Sequence, residues 1–465
     1  MPRSSPALDR SRPPEPGEIR PFHLPAVGED RLPQGLELRV LREARVPLVS
    51  GCLVLDAGEA SLDGDRAGLA VITGDALQGG TEVRSGAELA LALEQLGTSL
   101  NISTGWDATT LSFTCTAERL EPTLALLAEV VRRPAFPSDE VDRVRRQRLA
   151  AIRQRLMDPG SLADDEADRV LFPLDHPYHR PLAGTETTIR RVTPDHAREW
   201  VEARYRPGRG GLVLVGDLDI VEADRLVRRQ FGDWEGSPEP RGDLPAVVPP
   251  RPRPVVVVHR PGAVQTELRL VYPGPGRKHP DRLSLQVANA ILGGAFTSRL
   301  NLNLRERHGF TYGVRSNFTH RRRGGLFLLS TAVETRVTAA ALRETMGELD
   351  RFVAEGPDDA EVARARDYLA GVFPLRMETT GQLAARIAEL LIHDLPMDEY
   401  HLYRDRIREV TREGALQAFR AHVDPASIPI VLCGDAEALT GELEALDLGP
   451  VEVRLPTELQ DAEEA

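Results

Sequence analysis

The sequence predicts an α+β protein of two homologous domains, each a mainly antiparallel sheet covered by helices. Three observations carry this. Thr193, Pro207 and Gly216 have counterparts 218 positions later in Thr411, Pro425 and Gly434, and Pro137 and Leu149 match Pro357 and Leu369 at an offset of 220. A repeat that long means duplicated domains, since solenoid periods run to roughly 50 residues. Between the halves lies EGSPEPRGDLPAVVPPRPRP, residues 235–254, too proline-rich for helix or central strand and therefore an extended linker. Within each half, short alternating strands are followed by runs of amphipathic helix.

The elements follow in chain order. Residues 1–24, rich in Pro, Ser and charge, read as a disordered tail. The N-terminal domain spans 25–234. Leu36 to Arg42 and Thr109 to Cys115 alternate apolar and polar residues, as half-buried strands do. Ser85 with Glu88 three residues on is a capping-box pattern, and Gly97 stops that helix. Leu120 to Arg133 and Glu140 to Leu156 are further helices, the second ended by Pro159. The C-terminal domain spans 255–455. In it, Thr297 or Ser298 caps a helix ending near His308, with Gly309 as its C′ residue and a strand expected from Phe310. The acidic residues 456–465 form a second tail.

Composition narrows the function. The 465 residues are 41% hydrophobic and 28% charged, with a formal charge of −13. A chain that acidic lacks the basic face that neutralises phosphates or docks on anionic lipid, so nucleic acid and membrane are not expected partners. No apolar stretch approaches a membrane span and no signal-peptide core is visible, so the default location is the cytoplasm. Cys52, Cys115 and Cys433 are odd in number and far apart, as reduced structural thiols would be.

Candidate chemistry is sparse. His176-Pro-Tyr-His179 is the only close histidine pair. Two histidines three apart can ligate zinc on a helix, but Pro173 and Pro177 make this a loop, which favours a structural role. His393 beside Asp394, and His401, lack ligand spacing. HExxH, HxxEH, CxxC and GxSxG are all absent, and Gly79-Gly80 and Gly293-Gly294 are too short for a phosphate loop. On physics alone, Arg305 and Arg307 complement the negative end of the helix dipole.

Several longer segments carry a resemblance: LPQGLELRVLREARVPLVSGCLVLDAG, GAELALALEQLGTSLNISTGWDATTLSFTC, HPYHRPLAGTETTIRRVT, ARYRPGRGGLVLVGDLD and LGGAFTSRLNLNLRERHGFTYGV. In order and spacing they are similar to the insulinase/pitrilysin family of zinc peptidases, and most to its bacterial members that resemble the mitochondrial processing peptidase. The likeness covers Leu32 to Leu455 and implies two metallopeptidase-like roll domains. The family's inverted zinc motif, HxxEH, aligns with Gly68-Leu-Ala-Val-Ile-Thr-Gly-Asp-Ala-Leu-Gln-Gly-Gly-Thr81. Val71 stands for the first histidine, Gly74 for the catalytic glutamate and Asp75 for the second histidine. The family's third ligand is a glutamate some 70–80 residues onward, yet Val141 to Asp165 contains none. A catalytic zinc needs three protein ligands and a base for its water, so this chain is expected to hold no cofactor and not to cleave peptides alone.

The resemblance also implies a second catalytic pair. An arginine and a tyrosine seven positions later match Arg305 and Tyr312; in the family they hydrogen-bond the scissile carbonyl region and hold the tetrahedral intermediate. Loss of one set with retention of the other fits the non-metal subunit of a heterodimer, whose HxxEH-bearing partner supplies zinc while peptide substrate lies between them. The SLNIST segment at Asn101 matches the family's substrate-binding edge strand but is expected to be structural here. The alternative is a silent scaffold or peptide-binding member, with a homodimer possible, and a third is a metal held by His176 and His179.

Overall fold

The computed structural model describes residues 24–456, together with residues 11 and 22. The expected tails at 1–24 and 456–465 therefore lie almost wholly outside the described residues. Among the described residues, twelve strands form two six-stranded sheets. The first contains β1 (Gly28–Arg31), β2 (Glu37–Arg42), β3 (Leu48–Leu55), β4 (Asn101–Thr104), β5 (Thr109–Thr116) and β6 (Gly211–Gly216). Its spatial order is β1-β2-β6-β3-β5-β4. The second contains β7 (Val255–His259), β8 (Gln265–Gly274), β9 (Val314–Arg321), β10 (Gly324–Glu334), β11 (Ile430–Gly434) and β12 (Val451–Arg454), in the order β12-β7-β11-β8-β10-β9.

Reading inward from β4 and from β9, the first five strands follow one pattern, β4-β5-β3-β6-β2 and β9-β10-β8-β11-β7, and the sheets differ in the last strand, which opens the chain order in one (β1) and closes it in the other (β12). Each sheet is antiparallel apart from the parallel pair β2·β6 in the first, matched by β7·β11 in the second, and the outermost pair β12·β7. The duplication read from the offsets is thus a duplication of topology. Thr193 and Thr411 each cap a helix through the side-chain oxygen, and Gly216 and Gly434 each end the parallel strand that follows. The capping box at Ser85 and Glu88 forms, and Gly97 takes the left-handed conformation beyond that helix.

Residues 235–254 contain no helix or strand. They are nevertheless pinned: the Arg241 guanidinium donates to the buried Asp56 carboxylate at 2.7 Å, tying this crossing segment to the end of β3.

The halves also exchange helices. Pro159 does end the helix Ser138–Met157, but it opens another at once, Pro159–Leu171, with Asp158 capping it through Ser161 N–H. That helix lies on the second sheet. Its Leu162 and Ala163 pack with Val258 and Cys433, and Ala167 and Leu171 with Val256, Val271 and Val431. Reciprocally, Thr380–Ile392 from the C-terminal half lies on the first sheet. Its Leu383, Ala384, Ile387 and Ala388 share one core with Cys52, Val54, Val213 and Val215. β6 is consequently buried at every position, which is why it reads as a continuous apolar run rather than an alternating one.

Candidate functional site

The stretch aligned with the zinc motif forms the helix Leu69–Ala76, buried at seven of its eight positions. Its start is unusual. Gly68 sits at the N-cap with φ +83°, where a Cβ would lie 2.6 Å from the Ala183 carbonyl oxygen, and it has no side chain to cap with. Glu59 supplies the cap from nine residues upstream. It accepts the Gly68 N–H at 2.5 Å and the Ala70 N–H at 3.1 Å. The carboxyl is fully buried, and burial pushes its pKa up to about 7 against the opposing pull of the two N–H groups and of Arg180, 3.6 Å away.

The motif positions cannot hold zinc. Val71 is apolar and buried. At Gly74 a Cβ would stand 2.6 Å from Thr104 Oγ1 on the edge strand β4, and that hydroxyl is paired with Thr109 Oγ1 at 3.0 Å. Asp75 is the one possible ligand, and the Arg148 guanidinium is hydrogen-bonded to its carboxylate. Arg148 comes from the helix Ser138–Met157, on the stretch where the resemblance places the third ligand. A fixed positive charge therefore faces the only anionic group left, and it repels a divalent cation. The residues present do not fit the metal.

His176 and His179 shape a turn whose Tyr178 packs against the second half. Pro177–His179 forms one tight turn in which His176 Nδ1 accepts the Tyr178 N–H at 3.1 Å and His179 Nδ1 donates to the Phe172 carbonyl at 2.8 Å. Arg321, arriving from β9 of the second sheet, lays its guanidinium 3.8 Å from the centre of the Tyr178 ring, with Trp106 and Phe172 alongside. Burial, with Arg321 beside it, pushes His176 down to about 4. The neutral ring thus packs as an aromatic, stacked on Phe172. His401 Nε2 contacts the Leu24 carbonyl, 2.9 Å away.

Arg305 and Tyr312 lie on one continuous segment. Arg305 belongs to Asn301–Arg307, which is wound as π-helix; His308 N–H reaches back five residues to the Asn303 carbonyl. Its guanidinium stands 4.4 Å over the Phe296 ring and 3.6 Å from Glu306, with about a third of the side chain exposed. Tyr312 is 97% exposed. The strand expected from Phe310 begins instead at Val314. Gly309 turns left-handed at φ +63°, and Thr311 Oγ1 accepts the Gly313 N–H while bonding Thr331 Oγ1. That turn withholds residues 309–313 from the ladder and leaves Tyr312 projecting from a loop.

Asn301 fixes this loop to the sheet. It accepts the Val314 N–H at 3.1 Å and donates to the Val314 carbonyl at 2.9 Å. Asn303 anchors the same turn to Glu348 at 2.7 Å and Glu344 at 3.0 Å. Glu59, Phe296 and Asn301 were not singled out from sequence. A buried amide pair inside the apolar run Leu300 to Leu304 was the one visible signal, since buried amides need partners.

Comparison with known proteins agrees with this architecture. The family model "Insulinase (Peptidase family M16)" matches residues 40–162, and "Peptidase M16 inactive domain" matches 191–369. An uncharacterized zinc protease of Streptomyces coelicolor is 29% identical over 67% of this chain and 68% of its own. A non-peptidase homolog of Helicobacter pylori is 24% identical over 80% of this chain and 85% of its own. The crystal structure of a peptidase M16 inactive domain from Pseudomonas fluorescens superposes with a TM-score of 0.83 at 25% identity. It covers 88% of this chain and 98% of that one.

Proposed function

The chain belongs to peptidase family M16, and from that premise we propose that it is the non-metal subunit of a two-chain zinc peptidase. In this reading Arg305 and Tyr312 complete the active site of an HxxEH-bearing partner. One observation carries it. The motif helix is closed to metal by Thr104 and Arg148, while Tyr312 stands 97% exposed on a loop that Asn301 holds to β9. An exposed phenol that buries nothing contributes little to the fold, whereas the asparagine clamp positions it.

The partner's zinc would polarise the scissile carbonyl and its bound water. This chain's part is to offer donors. The Arg305 guanidinium and the Tyr312 hydroxyl can each donate a hydrogen bond to the oxygen that gains negative charge as the carbonyl becomes tetrahedral. Each preorganised donor is worth about 3 kcal/mol in the transition state. Phe296 holds the guanidinium by its ring face, and Glu306 faces only its Nε edge.

The test is reconstitution. The chain is mixed with an HxxEH-bearing family partner and cleavage of a peptide library is followed. Activity should need both chains, and Arg305→Ala with Tyr312→Phe should lose it while the complex still forms. Full activity of the double variant would remove the role. A second reading, a silent scaffold or peptide-binding member, draws on the likeness to the relative described as a non-peptidase homolog. It predicts a stable assembly, homodimeric or with a partner, that never cleaves. We place the protein in the cytoplasm; among the described residues no helix is long and apolar enough to cross a membrane.

A further inference from the structure

Away from the degenerate motif, the second domain brings together two imidazoles and a carboxylate. His279 and Asp281 flank Pro280 in the turn before the helix Arg282–Asn289, and His422 ends the helix Arg412–His422 packed against it. His422 Nε2 is 3.0 Å from Asp281 Oδ2, His279 Nδ1 is 3.8 Å from the same oxygen, and one ligand atom from each residue lies within 4.8 Å of the other two. Tetrahedral zinc with bonds near 2.0–2.1 Å sets its donors about 3.3 Å apart. The two separations from Asp281 Oδ2 bracket that edge.

Three features make this more than a surface hydrogen bond. Asp281 is the N-cap residue of its helix, yet its carboxylate makes no capping bond there and is turned toward the imidazoles. Pro280 restricts the backbone between the first two donors, so little freedom is lost on chelation. The neighbouring cations are engaged elsewhere: Arg282 bonds Glu399, and Lys278 lies 3.9 Å from Asp394. His279 Nδ1 accepts the Asp281 N–H at 3.2 Å, a bond that a metal held by this atom would replace. The side chains of His279 and Asp281 are 37% and 39% exposed and that of His422 17%, so water can fill the remaining coordination positions.

We propose that His279, Asp281 and His422 form a site for a divalent transition metal of the zinc, cobalt or nickel class, which staples the end of one helix to the start of the other. Imidazole with one carboxylate suits these ions rather than calcium or magnesium. Binding takes up the lone pair of His422 Nε2, so its hydrogen bond with Asp281 is exchanged for bonds from both residues to the ion. The proposal does not depend on the role of Arg305 and Tyr312.

The experiment uses the full chain, stripped with chelator and titrated with Zn²⁺ by calorimetry, with Co²⁺ as the spectroscopic probe. The expected result is one ion per chain, a visible cobalt band without a thiolate charge-transfer feature, and a melting temperature that rises with free metal. Asp281→Asn and His422→Gln should each weaken binding roughly tenfold or more while leaving the metal-free melting temperature near that of the parent. Protection of His279 and His422 from diethyl pyrocarbonate by Zn²⁺, read by mass spectrometry in the unaltered chain, checks the ligands without substitution. No stoichiometric uptake, uptake retained by both variants, or no protection of these two rings would overturn the proposal.

Discussion

Replacing Gly74 by alanine tests whether the position where the resemblance puts a catalytic glutamate is closed by the neighbouring strand. In an open helix the exchange stabilises, because glycine is about 1 kcal/mol worse than alanine inside a helix. Here the new Cβ would meet Thr104 Oγ1 at 2.6 Å, well inside van der Waals contact. The hydroxyl must rotate away, which breaks its 3.0 Å bond to Thr109 Oγ1, a loss of about 1 kcal/mol. Overpacking adds about 1–3 kcal/mol. Against the helix gain, Gly74→Ala should destabilise by about 1–3 kcal/mol. Thr104→Ala removes the obstructing oxygen and keeps a Cβ that lies 3.8 Å from the new methyl. In that background Gly74→Ala should change sign and stabilise by up to about 1 kcal/mol. Urea unfolding of the four proteins of the cycle reads the coupling directly. If Gly74→Ala stabilises the unaltered chain, the helix is not held against β4 as described, and the steric argument against a glutamate at this position fails with it.

Further outcomes follow from the same contacts. Tyr312→Phe and Arg305→Ala should leave chemical unfolding within about 0.5 kcal/mol of the parent. In the reconstituted peptidase each should lower kcat about 10²–10³-fold; a large stability loss would assign them to the fold instead. The Glu59 pKa of about 7 lies above the ordinary 4.5, so between those values the folded chain keeps a proton the unfolded chain has released. Stability should therefore fall as pH rises through that window, by up to about 1.4 kcal/mol per pH unit from this group. The difference between parent and Glu59→Gln across pH 4.5–7 isolates it, and a flat or rising difference would contradict the buried cap. Arg321→Ala should cost about 3 kcal/mol or more by removing the cation that faces the Asp168 carboxylate and emptying the cage over Tyr178. Finally, residues 25–254 expressed alone should bind hydrophobic dyes and aggregate, because the helix Thr380–Ile392 is missing from the first sheet. A cooperatively folded, soluble fragment would refute the reciprocal packing.

Much of this molecule was legible along the chain because much of it is locally encoded. Capping pairs three residues apart, glycines beyond helix ends and period-two strands report contacts between sequence neighbours, so Ser85, Gly97, β2 and β5 were read near their observed places. The repeated offsets exposed the duplication for a similar reason: each copy carries the same local signals. That Val71 and Asp75 stand where the resemblance puts histidines was likewise a matter of residue identity, needing no coordinates. The helix at Pro159 escaped because the proline that stops one helix also starts the next, and the strand at Phe310 was drawn too early because a threonine side chain diverts the backbone into a turn.

What the sequence alone determined is therefore the α+β class, the doubling and the absence of a complete metal motif, all properties of residue type and short spacing. Tertiary structure decided the rest: that Arg148 neutralises Asp75 across 73 positions, that Glu59 caps a helix it does not belong to, that each half lends a helix to the other's sheet, and that His422 meets His279 and Asp281 across about 140 residues. Those outcomes depend on charges and apolar faces finding partners through space. Apolar burial and ion pairing have no sequence register of their own, so only the closed fold shows which partners they choose.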